Sequence, residues 1–148
     1  YTMSANEPLG SLQSTAERHW FNDNFLKFKS VNYLPFDQHL LAALCADPAR
    51  YLFITGSYLY EDWTNPPAMW LTYLAAKRVF DFLDIDNHIA IRLHKEGHMV
   101  TDEDLVYLLD YCDHHFYGKE VQSNLQDLKR SLYLEPANFD PAFAVYLD

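Results

Sequence analysis

The chain has 148 residues, room for one compact domain, and its 49% hydrophobic and 22% charged content is an ordinary globular balance. A formal net charge of −10 repels phosphate backbones and anionic bilayers, which argues against nucleic acid or a membrane surface as partner. No apolar run is long enough to span a bilayer, and the opening YTMSANEP carries neither an initiator Met nor a secretory signal, as expected of a mature or excised piece.

Residues 1–20 read as a strand end, a loop and a short helix. In HWFNDNFLKFKSVNYLPF, Trp20, Phe21, Phe25 and Phe28 recur at helical spacing until Pro35 stops the pattern. Asp37 is placed as the N-cap of a short helix, DQHLLAALCA, closed by Asp47-Pro48. RYLFITGS is a strand rich in aromatic and β-branched residues. Its continuous apolarity predicts an interior parallel strand, buried on both faces. After the loop SYLYEDWTNPP comes the longest helix, with Pro66 and Pro67 in its first turn and MWLTYLAAKRVFDFL carrying its apolar face. NHIAIRLH is a second short strand. Thr101 and Asp104 then form the Ser/Thr-x-x-Asp/Glu start of a helix, DEDLVYLLDYCDHHF, on which Leu105, Leu108, Leu109, Cys112 and Phe116 share a face. Beyond Gly118 lie one helical stretch, VQSNLQDLKRSL, and a Pro-containing tail, so the chain divides into residues 1–118 and an extension, 119–148. Helices alternating with strands predict an α/β fold with a parallel sheet. Two strands are few for a stand-alone sheet, and the chain is expected to be part of a domain.

Chemistry in open α/β sheets gathers at the carboxyl ends of the strands. After the first strand comes Glu61-Asp62-Trp63, and after the second comes Gly97-His98. An acid after one strand and a His after the next is the chain order of the second half of an α/β-hydrolase triad. In that role a neutral imidazole takes the proton of a nucleophilic hydroxyl, and a carboxylate behind it fixes the tautomer and stabilises the imidazolium. The competing readings are plainer. His94 and His98 are four apart, as zinc ligands on a helix would be, but HKEGH lacks the Glu placement of His-Glu-x-x-His and Gly97 disfavours a helix. His114 and His115 close a helix, where its dipole favours them, and Asp102, Glu103 and Asp104 open it for the same reason. His39 reads as a structural residue, His19 stays open, and Met69 and Trp70 read as core. Trp63 in its loop suits either ligand contact or packing over the acid. Cys45 and Cys112 read as buried free thiols, with one disulfide as the other reading. The aromatic share of 16% suits a sugar-like ligand and core packing equally.

Four local patterns carry a resemblance: HWFNDNFLKF, LPFDQHLLAAL, EDWTNPP and GHMVTDEDL, in that order between about His19 and Tyr117. Together they resemble glucuronoyl esterases, the carbohydrate esterase family 15 group of α/β-hydrolases. The resemblance implies that the chain is the C-terminal part of an α/β-hydrolase fold. It implies Glu61 as the triad acid, with Asp62 the alternative, His98 as general base and then general acid, and Trp20 as a wall of the uronate pocket. The reaction implied is hydrolysis of an ester between a glucuronic acid carboxyl on xylan and a lignin alcohol through an acyl-enzyme, with no metal or organic cofactor. The protein is then expected to be secreted or periplasmic, and its partners to be the N-terminal half of the same hydrolase, or a companion chain, and a carbohydrate ester.

The chain departs from that pattern in several places. It has no Gly-x-Ser-x-Gly: Gly56-Ser57 runs on to Tyr58, Leu59 and Tyr60, and Gly10-Ser11 to Leu12 and Gln13. The family's nucleophile and oxyanion arginine belong to an earlier strand and have no match here. Glu61 stands where the loop pattern has Asp. The stretch from Leu44 to Arg50 differs from the family's Ala-Pro-Arg-Pro, and the tail from Lys119 has no counterpart. Alone the chain is expected to be unable to catalyse acyl transfer. The alternatives are a catalytically incomplete hydrolase-like piece with a structural or carbohydrate-binding role in a larger assembly, and an esterase or peptidase of the same fold acting on another acyl group.

Overall fold

The aromatic segment does not form an α-helix. In a computed structural model describing residues 16–57 and 64–121, it breaks into 3-10 turns at Ala16–Trp20, Asp23–Lys27 and Val31–Tyr33. Short polar side chains are the cause. Asn22 Oδ1 accepts from the Asn24 amide at 2.8 Å and Ser30 Oγ from the Asn32 amide at 3.3 Å, and each restarts the chain locally in competition with a continuous helix. The aromatic spacing is used differently: the Phe21 and Phe25 rings stack, with centroids 4.9 Å apart. The expectations for residues 1–15, for the loop with Glu61, Asp62 and Trp63, and for the tail helix lie outside the described residues.

Asp37 caps helix α1 (Gln38–Ala43) as predicted, accepting from the Gln38 amide at 2.7 Å. Strands β1 (Leu52–Ser57) and β2 (Ile89–His94) pair in parallel, in register from Leu52↔Ile89 to Ser57↔His94. They make a two-stranded sheet among the described residues. Helix α2 (Pro66–Phe82) is the crossover between them. It starts from Asn65, in the left-handed region at φ 55°, whose side chain accepts from the Ala68 amide at 3.3 Å. Asn tolerates that backbone better than most residues.

The strands alternate as a two-sided sheet requires. Ile89 and Ile91 point to α2, where Trp70, Tyr73, Ala76 and Phe80 form the main core, with Leu52, Ile54 and residues of α1 packed beside it. Each fully buried side chain of this size contributes about 1.5–3 kcal/mol. The core is not wholly apolar, since the Trp70 indole N–H and the Tyr73 hydroxyl lie in it without a hydrogen-bond partner among the described residues. Burial, then Asp81 and Asp86, push Tyr73 up to about 12. On the other face, Ala90 packs with Tyr111, Phe53 and Tyr107. The result is α/β/α layering around a parallel sheet, the predicted class. β1 is only half-buried, whereas Ile89, Ala90 and Ile91 of β2 are buried, so the expected burial of the first strand on both faces is incomplete in this chain.

Helix α3 (Asp102–Tyr117) has the predicted Thr101–Asp104 capping box and closes on Gly118 at φ 63°. Its packed face is not the apolar row read from the sequence. Leu105, Leu108, Leu109 and Phe116 are exposed and Cys112 is half-buried, while Asp104 and Tyr111 are buried. Positions 104, 107, 111 and 115 meet the sheet instead, bringing a carboxylate, two phenols and an imidazole to it. Cys45 and Cys112 are free thiols, half-buried rather than buried.

His115 makes the fold acid-sensitive. Burial first, then His114 and His88, lowers its pKa from 6.5 to about 4. As pH falls below 6.5 the unfolded chain binds a proton that the folded chain refuses until about 4. Stability is therefore lost across that window. Urea midpoints of the complete protein are expected to fall between pH 6.5 and 4 and to fall less in His115→Gln; equal slopes would exclude this source.

Candidate active site

Because Ser57 and His94 are the last registered pair, both strands stop at one level and their carboxyl ends open into one cleft. The cleft encloses about 390 Å³ and is lined by Ser57, Thr64, Met69, His94, Gly97 and His98 among others. Met69 rises from the first turn of α2 against Gly56, where a Cβ would lie 2.8 Å from the Met69 Cε and 2.9 Å from its Sδ. The absence of a side chain at Gly56 is what lets the thioether lie on the strand.

His98 stands at the apex of a three-residue turn, closed by the Met99 amide donating to the Gly97 carbonyl at 2.8 Å. Gly97 has φ 79°, and its amide donates to Ser57 Oγ at 3.2 Å, tying the turn to the end of the neighbouring strand. The imidazole is exposed and borders the cleft. A Cβ at Gly97 would meet no atom within 4 Å, so Gly97→Ala carries a backbone cost alone. That cost is about 1–2 kcal/mol, read as a lowered unfolding midpoint; an unchanged midpoint would show that the turn relaxes freely.

Beneath the turn lies a polar network that the sequence reading missed. Asp104 is buried, and its Oδ1 accepts from Arg92 Nε at 2.7 Å. Its Oδ2 accepts from the Thr101 amide at 2.8 Å and the Thr101 hydroxyl at 2.7 Å, and lies 3.4 Å from His94 Nε2. Burial by itself would raise the Asp104 pKa, but the Thr101 amide and hydroxyl, Arg92 and His94 outweigh it and hold the carboxyl below its usual value. Arg92 also pairs with Glu103 at 2.9 Å and lies over the Tyr107 ring, 4.1 Å from its centroid. His94, itself buried, accepts from the Glu96 amide at Nδ1 at 3.3 Å. The available signal was Arg92 and His94 alternating with apolar residues at the end of a strand, two polar groups on one face of a buried element.

Of the residues singled out from the sequence, His98 reaches the cleft. Glu61, Asp62 and Trp63 lie outside the described residues, but Ser57 and Thr64, which flank their loop, both line the cleft with His98. Trp20 sits in a 3-10 turn, 65% exposed and edge-on to His19, and is not among the cleft-lining residues. The HKEGH segment is a turn rather than a helix, with His94 buried below and His98 exposed above. Among the described residues no group of three His, Cys, Asp or Glu side chains is arranged to hold a metal ion. His39 lies 4.0 Å from Asp37, beside a second cleft of about 420 Å³ between α1 and α2.

A family model described as glucuronyl esterase, fungi, matches residues 3–84, more than half of the chain. A multidomain esterase of Ruminococcus flavefaciens is 48% identical over 140 residues, covering 95% of this chain and 18% of that protein. The 4-O-methyl-glucuronoyl methylesterase 1 of Phanerochaete chrysosporium is 36% identical over 73 residues, 49% of this chain and 15% of that one. Among solved structures, a carbohydrate esterase family 15 glucuronoyl esterase from Caldicellulosiruptor kristjansonii matches with a TM-score of 0.75 at 39% identity, over 92% of this chain and 33% of that chain. The chain thus spans between about a fifth and a third of the length of the multidomain esterase and the solved enzyme.

Proposed function

Because this chain belongs to the glucuronoyl esterase family, we propose that it is the carboxyl-terminal part of a serine carboxylesterase acting on uronic-acid esters of plant cell-wall polysaccharide. The observation that carries the reading is His98 at a turn apex on the carboxyl edge of a parallel sheet, beside both ends of the loop with Glu61 and Asp62. In this role His98 takes the proton of a serine hydroxyl as that oxygen attacks the ester carbonyl. It returns the proton to the departing alcohol, and a water then repeats the sequence to release the uronic acid. Glu61, or Asp62 in its place, orients the ring, Trp63 contacts the sugar at the cleft, and Trp20, which stands exposed outside the cleft lining, contacts it at a distance from the ester.

The serine is supplied by the N-terminal half of the same hydrolase. The exposed Leu105, Leu109 and Phe116 of α3 and the half-buried β1 are apolar surface that such a half would cover. Residues 1–118 belong to the hydrolase domain in this reading, and 119–148 form an extension past the left-handed Gly118. A wall polymer is reached from outside the cell, which is the compartment the reading implies. Among the described residues no helix is long and apolar enough to cross a membrane.

The test is hydrolysis of a simple alkyl glucuronate ester by the complete protein, with Glu61→Ala and Asp62→Ala made separately. One of the two is expected to lower turnover by on the order of 10²-fold or more and the other by far less. A complete protein without ester turnover would favour the second reading, a catalytically incomplete piece with a structural or carbohydrate-binding role, which the lack of a Gly-x-Ser-x-Gly in this chain suggests.

A further inference from the structure

The turn carrying His98 is held by side chains that no part of the triad chemistry requires. His94 is buried at the end of β2, with one ring nitrogen facing the turn and the other facing the start of α3. Nδ1 accepts from the Glu96 amide at 3.3 Å, and Nε2 lies 3.4 Å from Asp104 Oδ2. The Glu96 carboxylate folds back over the same place, 3.2 Å from Nδ1 and accepting from the Lys95 amide at 2.9 Å. Asp104 is fixed in turn by Arg92 from the strand and Thr101 from the helix start. The six residues from Lys95 to Val100 are thereby tied at both ends and, through Gly97 and Ser57, in the middle.

We infer that His94 is a positioning residue for the catalytic base: braced against Asp104, it acts as a strut under the turn and sets where the His98 ring stands over the cleft. The inference rests on the reading of His98 as general base. The physical warrant is that His98 is carried on a short exposed turn, so the place of its ring follows the place of the backbone beneath it. Reaction geometry is unforgiving, and a displacement of about 1 Å can cost on the order of 10²-fold in rate. His94 has one ring nitrogen on the turn and the other at the start of α3. Its loss would therefore release the turn from the helix start while the Thr101–Asp104 cap remained.

The experiment uses the complete esterase and three replacements. His94→Asn retains an acceptor near the Nδ1 position for the Glu96 amide, His94→Gln retains a donor near the Nε2 position for Asp104, and His94→Ala retains neither. Folded, competent sites are counted by titration with a serine-directed phosphonate, so that kcat is expressed per site and a loss of folded protein does not enter. The expected result is a kcat per site lowered roughly 30-fold in His94→Ala with KM changed less than about threefold. Most of that loss should be recovered in His94→Asn. His94→Gln should recover unfolding midpoint without recovering kcat. The limb of the kcat/KM pH profile that reports the base is expected to move in His94→Ala and return in His94→Asn, a change that a purely structural role would not produce.

A native kcat per site and an unmoved pH limb in whichever of the three variants fold would overturn the positioning role. His98→Ala is measured alongside. If it abolishes turnover while the His94 variants keep the native rate, the strut falls and the base assignment stands. If His98→Ala retains turnover, the base assignment falls and takes the strut with it.

Discussion

Replacing His98 by Ala in the complete protein is expected to lower ester turnover by on the order of 10³-fold or more, with the fold unchanged. Both halves of that expectation come from the same geometry. The ring stands at the apex of a turn whose closure is made by backbone, the Met99 amide on the Gly97 carbonyl, so shortening the side chain leaves that closure in place. His98 is exposed, and truncating it opens no cavity in either core cluster. Catalysis has no such reserve. Under the proposed mechanism, loss of the imidazole would leave the serine hydroxyl without an acceptor for its proton and the departing alcohol without a donor. The check is kcat and KM for an alkyl glucuronate ester, together with far-ultraviolet circular dichroism and a denaturant midpoint on the same sample. A folded variant that keeps most of its turnover would remove His98 from the mechanism.

Asp104→Ala is expected to have the largest effect on stability, a loss of about 3–5 kcal/mol. The carboxylate is the shared partner of the buried His94, the Arg92 guanidinium and the first turn of α3. Removing it strands Arg92, whose side chain is 12% exposed and whose remaining acidic partner, Glu103, is largely in water. Asp104→Asn should cost less, because the amide oxygen can still accept from Thr101 or from Arg92, though not from both sets. The pH dependence has a definite sign. The folded-state value of Asp104 lies below its ordinary 3.8, so its contribution is complete above that value and is lost as pH falls through the folded value. Denaturant titrations near neutrality and near pH 3 give the comparison: the native protein should lose stability between them, and Asp104→Ala should lose less over the same interval. Equal losses would show that Asp104 is not the group being protonated.

The parts of the fold that were legible in the sequence are those governed by local chemistry. Asp37 and Thr101 cap helices wherever they stand before one, Pro66 tolerates a first helical turn, and the two apolar strands could pair only across the helix between them. The aromatic segment failed as a helix because hydrophobic spacing and local capping pointed different ways, and Asn22 and Ser30 decided the outcome. The face of α3 was misjudged for a related reason. Hydropathy marked Leu105, Leu109 and Phe116, but the sheet offered Arg92 and His94 at that level, and a carboxylate answered them. The turn that brings His98 to the cleft could be placed because a glycine and a histidine after a strand form a local signal. The burial of His94 could not be placed, because it goes with a contact to Asp104, ten positions on, and a strand-end histidine looks the same with or without it.

The shared end point of β1 and β2 has a consequence for how the chain finds its native pairing. Side chains of a strand alternate between the two helical layers, so a one-residue slip of β2 would turn Ile89, Ile91 and Leu93 toward α3 and drive Arg92 and His94 into the apolar layer under Trp70 and Phe80. Apolar residues lie on both sides of this sheet, and hydrophobic burial alone discriminates weakly between the two arrangements. The Arg92–Asp104–His94 contacts discriminate strongly, because a misplaced guanidinium would be buried without a carboxylate. The network thus favours the native strand register over its one-residue neighbours.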